Sequence, residues 1–94
     1  MLAILTLHLY LPGCSSLKEK RGRIKPFMAA LRREHNLSVA ELDFQDHWQQ
    51  AVLGCAMIGN DHRYLSGAMQ TVANWVEAHW TDGDVIEQQI DFMA

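Results

Sequence analysis

An α+β fold is predicted by three features of the sequence. Residues 2–11 and 50–59 are short, nearly continuous apolar runs of strand length. Two longer segments carry apolar residues at helical spacing behind capping residues, and the stretches 37–44 and 85–93 alternate. The 94 residues, 49% of them apolar and 20% charged, suit one globular domain over 1–94, near the lower size limit for a core without staples.

Each element has a local cause. In residues 2–11, Ala3, Leu5, Leu7, Leu9 and Leu11 make one wholly apolar face, and Leu2, Ile4, Thr6, His8 and Tyr10 a mixed one. Pro12-Gly13 stops that strand. Ser16-Leu17-Lys18-Glu19 is a capping box, in which Ser16 accepts from the Glu19 N–H. Leu17, Ile24, Phe27, Met28 and Leu31 then mark a helical stripe, and Asn36 supplies a left-handed stop. Pro26 falls opposite Leu17, so a bend there curves the helix around a core.

Residues 37–44 alternate with Ala40, Leu42 and Phe44 as the expected inner face, leaving Glu41 and Asp43 outside. A polar link, QDHWQ, leads to the apolar strand 50–59. Asn60 or Asp61 caps a second helix with Leu65, Met69, Val72 and Val76 inside. Thr81-Asp82-Gly83-Asp84 turns the chain into the acidic strand 85–93.

The resulting order is strand, helix, strand, strand, helix, strand. Right-handed crossovers and the short strand-to-strand link make it a ferredoxin-like split βαβ fold: a four-stranded antiparallel sheet with both helices on one face. The two most apolar strands, the first and third, belong at the centre.

Leu11-Pro12-Gly13-Cys14 imitates a lipoprotein cleavage box. The apolar run before it has no preceding Lys or Arg, is broken by Thr6 and His8, and is too short to span a bilayer. A buried strand is the better reading. Cys14 and Cys55 are too few for a disulfide scaffold and read as free thiols of a reducing cytoplasm.

Charge carries the functional signal. Seven of the eight Lys and Arg residues lie between positions 18 and 33. Residues 1–35 are net +5, and residues 36–94 are net −8. On a helical wheel Lys18, Arg21, Lys25 and Arg32 share one flank of the apolar stripe, with Lys20 on the other. The helix start adds Ser15 and Ser16 beside unpaired N–H groups, a ready anion site. These seven residues are the expected RNA or phosphate contacts. A solvated helix face with a Glu19–Arg23 pair explains part of the same pattern.

The apolar first strand with its Pro-Gly turn, then SLKEKR, then VAELDFQDHWQQAVLG, resembles the YlxP-like bacterial family of unknown function. The resemblance implies a cytoplasmic ferredoxin-like domain. It also implies gene neighbourhoods rich in translation and ribosome-maturation factors, hence RNA or a ribosomal particle as a partner. It implies no catalytic residues.

The open sheet face is expected to show acidic groups and few aromatics, unlike RNA binders that stack bases on a sheet. Recognition would therefore rest on backbone contacts with little sequence preference. Ile4, Tyr10, Val52 and Ile58, beside Leu2, would leave apolar area on that face for a homodimer or another protein. Asp43, Asp46, His47 and His62 lack zinc-ligand spacing, so no metal or cofactor is expected. Acylphosphatases share the predicted fold, with Arg21 and Asn60 as candidate counterparts here, but the glycine-rich turn of that family is absent and no base accompanies Cys14 or Ser15. The sequence thus points away from an enzyme. It points to an RNA- or ribosome-contacting accessory protein, or alternatively to a homodimeric interaction module.

Overall fold

The computed structural model describes residues 1–93. The order is β1 (Leu2–Tyr10), α1 (Leu17–Glu34), β2 (Ser38–Asp43), β3 (Gln50–Ile58), α2 (His62–His79) and β4 (Val85–Met93). The strands form one antiparallel sheet in the order β2-β3-β1-β4, so β1 and β3 are central as their apolar content predicts. This is the ferredoxin-like arrangement.

Alternation in β1 sends Ala3, Leu5, Leu7 and Leu9 to one side, where all four are fully buried. Opposite them in β3, Ala51, Leu53 and Cys55 are buried as well. The helices lay their stripes on this surface: Ile24, Phe27 and Leu31 from α1, and Leu65, Met69, Val72 and Val76 from α2. Trp80, at the C-cap of α2, closes the helix layer with its ring 5.0 Å from Phe27, edge to face. Trp48, in the link before β3, is half exposed.

Local signals operate much as their chemistry suggests. Ser16 caps α1 from an extended conformation and Asp61 caps α2. Pro26 sits on the exposed side of an unbroken α1, where the Gly22 carbonyl that loses its donor can turn to water. Asn36 is not a left-handed stop. The helix ends at His35 in extended backbone, its N–H still donating to the Leu31 carbonyl at 3.1 Å. Gly83 is required by close approach, since a Cβ there would lie 1.8 Å from the Tyr10 carbonyl oxygen.

One expectation is reversed. In β2, Val39 pairs with Cys55 and Glu41 with Leu53, so Val39 and Glu41 face the helix layer. Ala40 and Leu42 face outward; a Cβ on Gly54 would meet the Leu42 side chain at 2.6 Å. A shift of pairing by one residue exchanges the faces of a strand. Here a bulge between Glu41 and Asp43 then returns Asp43 to the outer face, opposite Val52. A second bulge, at Ile86, interrupts β4 between the partners of His8 and Leu9. Phe44 follows β2 at φ 61°, and its ring stacks on His8 at 5.3 Å on the open face.

Candidate nucleic-acid interface

The first turn of α1 is built around Glu19. Ser16 Oγ accepts from the Glu19 N–H at 3.0 Å, completing half of the predicted box. Glu19 Oε2 in turn accepts from the Ser15 N–H at 2.9 Å and the Ser15 hydroxyl at 3.0 Å. Arg23 Nη2 donates to Glu19 Oε1 at 2.7 Å. These contacts, the Ser15 N–H first, hold the Glu19 carboxyl below its ordinary 4.5. The helix start therefore already carries an anion, the chain's own carboxylate. Ser15 is engaged with that carboxylate and Ser16 with the Glu19 N–H, rather than left open to a phosphate.

Lys20 is the second departure. It is 2% exposed, with Nζ 2.9 Å from Glu41 Oε2 and 2.5 Å from the Phe44 carbonyl oxygen. It sits in the buried stripe, not on its far flank, and is withdrawn from any external ligand. The spacing holds the clue: Ile24, Phe27 and Leu31 follow Lys20 at four, seven and eleven residues, which is one helix face. An ammonium there needs a carboxylate from the element packed on α1, and Glu41 supplies it.

Arg32 is partly committed as well. Its Nη2 donates to the Val39 carbonyl at 2.6 Å, tying the last turn of α1 to β2. Three of the expected contacts remain exposed and unpaired among the described residues: Lys18, Arg21 and Lys25. They line one flank of the first half of α1.

Beside that flank runs a groove of about 490 Å³ between α1 and the β2–β3 link. Leu17, Ile24 and Met28 give it an apolar wall. Arg21, Lys25 and Arg32 stand along the helix side, and the Lys20–Glu41 pair forms its base. Gln45 and Asp46 make the opposite lip. The groove is not apparent from the sequence, because the alternation of 37–44 with Ala40, Leu42 and Phe44 inside turns Glu41 away from α1.

On the open sheet face, Leu2 pairs with Ile58 and Met93, and Ile4 lies next along β1, opposite Ala56. Ile58 is 81% exposed, and Leu42, Ile86 and Met93 are each about half exposed. Val52 and Tyr10 lie toward the other end, near His8, so the four expected contact residues do not form one cluster. His8 Nε2 and Gln50 Oε1 are 2.8 Å apart there.

Both cysteines are buried and free. Burial pushes the Cys55 thiol up to about 12, against a smaller opposing effect of Arg32, which makes it a packing residue rather than a nucleophile. Among the described residues, no helix is long and apolar enough to cross a membrane.

A family model described as "Protein of unknown function (DUF503)" matches residues 2–90. The chain belongs to this family. It is also similar to the uncharacterised protein YlxP of Bacillus subtilis (strain 168), with 29% identity over 63 residues that cover 67% of this chain and 68% of the relative. Membership fixes kinship and carries no activity.

Two outcomes test this site's construction. Lys20→Met strands a buried carboxylate oxygen and is expected to lower unfolding free energy by about 3 kcal/mol, discounted toward 2 for the partial exposure of Glu41. The double variant Lys20→Met/Glu41→Leu should recover most of that loss in urea melts, giving a clear coupling in the double-mutant cycle. For Glu19, whose native pKa is depressed, the stabilisation is complete above the unfolded value. It fades as pH falls through the lower native value. Comparing melting temperature against pH for wild type and Glu19→Gln should show convergence only on the acid side of 4.5; parallel curves would deny Glu19 this role.

Proposed function

We propose that the protein is a non-enzymatic cytoplasmic accessory factor that contacts RNA, or a particle built on RNA, through α1. The observation that carries this reading is the unpaired trio Lys18, Arg21 and Lys25 on one helix flank. A chain of net charge −3 concentrates its cations there, against a net −8 over residues 36–94. Of the three, only Lys18 lies in the first turn of α1, where Glu19 offsets its opposition to the helix dipole. Arg21 and Lys25, further along the flank, have no such internal anion among the described residues, and an external polyanion would pair all three. Such contacts position a phosphate backbone without reading sequence.

The candidate nucleophiles of the same region support a non-enzymatic reading. Cys14 is sealed in the core, and its Sγ lies 3.6 Å from the Ser16 carbonyl oxygen. The Ser15 hydroxyl donates to the Glu19 carboxylate at 3.0 Å, an anion already committed to the Ser15 N–H and to Arg23.

A second reading is supported by the open sheet face, where Leu2, Ile4, Ile58 and Met93 group at one end of β1, β3 and β4. Apolar side chains gathered in this way on an uncovered sheet suit a second copy of the chain.

Binding to a structured ribosomal RNA fragment at 50 and 200 mM salt tests the first reading. Three phosphate contacts predict a loss of affinity of roughly twenty- to fortyfold across that range. The Lys18, Arg21, Lys25 triple-alanine variant should bind weakly at either salt, and wild-type affinity in that variant would sink the reading. For the second, light scattering over a tenfold concentration range should show a dimer that Ile58→Lys dissociates. A monomer at every concentration removes it.

A further inference from the structure

We infer that the groove between α1 and β2 is a seat for one guanine nucleotide, either free or unstacked from an RNA strand. For the strand-borne form this rests on the RNA reading above. The groove has a mixed lining. Arg21 and Lys25 are exposed and unpaired on the helix side. Asp46 faces them from the other lip, exposed and without an ion pair among the described residues. Glu41 lies between, with Oε2 shut from solvent against Lys20, so its 26% exposure falls on the rest of the side chain.

Simple ligands fail against this lining. An inorganic anion or an acidic peptide would satisfy Arg21 and Lys25 but be repelled by Asp46, the groove's unpaired carboxylate among the described residues. A metal cation or a basic peptide meets the converse problem. The lining is matched by a molecule with an anion at one end, N–H donors at the other and a flat apolar body between. The body would lie on Ile24 and Met28, which wall the groove. A volume of about 490 Å³ lies in the range that holds small ligands. A nucleotide has this form, and unstacked RNA bases are read on their Watson–Crick edges.

Guanine fits best among the bases. Its N1–H and N2–H₂ groups are adjacent donors that can meet both oxygens of the Asp46 carboxylate. Adenine and cytosine set a single amino group beside an acceptor that would face the carboxylate unfavourably. Uracil has one N–H between two carbonyls. The phosphate would then lie toward Arg21 and Lys25, continuous with the flank that Lys18 extends.

The test compares the pentamers UUGUU, UUAUU, UUCUU and UUUUU, with guanosine and uridine 5′-monophosphates as separate arms, by titration calorimetry on wild type and Asp46→Asn. Asp46 is exposed on the link, so its substitution leaves the core untouched. UUGUU is expected to bind at least about fivefold more tightly than the other pentamers, the lower end for one bidentate base contact. Asp46→Asn should erase that preference while leaving the salt-dependent binding to structured RNA in place. Preference among the monophosphates alone supports the seat and assigns it to free nucleotide. Equal binding of all pentamers and of both monophosphates overturns the inference and leaves the RNA reading standing. Loss of structured-RNA binding with guanosine monophosphate still preferred overturns the RNA reading instead. Preference that survives in Asp46→Asn also overturns the seat as described.

Discussion

The interaction on which the architecture turns is the burial of one ammonium group. Lys20 lies within the apolar stripe of α1, where an uncompensated charge could not remain. Its two partners, Glu41 and the Phe44 carbonyl, come from β2 and the residue after it. Satisfying Lys20 therefore fixes which face of β2 meets the helix and where β2 ends. It also fixes the unusual backbone of Phe44, whose carbonyl is held by Lys20 while its ring rests on His8 across the sheet. A left-handed conformation in a bulky residue persists only when its surroundings over-determine it. Here the N–H is held too, by Asp43 Oδ1 at 2.8 Å.

This accounts for what could and could not be read in the sequence. The central strands and both helices were legible because their signals are redundant: four Leu or Ala at every second position in β1, and four apolar residues on one face of α2. In β2, Ala40, Leu42 and Phe44 alternate just as an inner face should, and hydrophobicity alone favours them over Glu41. The competing demand comes from a residue twenty-one positions away, and no local pattern in β2 records it. The bulge after Glu41 was likewise invisible, since it follows from pairing and not from composition.

The cation cluster of the candidate site was legible, and the number of its available side chains was overcounted. The clustering of cations on α1 is plain in the sequence, but charge counting treats every Lys and Arg as equally available. The fold assigns Lys20 to Glu41, Arg23 to Glu19 and Arg32 to a β2 carbonyl. Ser15 is taken by the carboxylate that the capping box itself brings, and Ser16 by the backbone N–H of the same Glu19. What remains for a partner is the part of the block that no nearby acceptor claims. The same internal demands also create the groove, since the Lys20–Glu41 contact draws α1 and β2 together beneath Arg21, Lys25 and Asp46.

The two bulges lie on the two outer strands, β2 and β4. Each breaks the even ladder of backbone groups that an incoming strand would need, and β2 is also short, at six residues. Strand-by-strand growth of the sheet is thereby obstructed at both margins. The broad open face offers the other way for copies to meet, and a face covered by one neighbour has no room for a second. Association of this chain with itself would thus be self-limiting, closing at a pair rather than running on into a fibre.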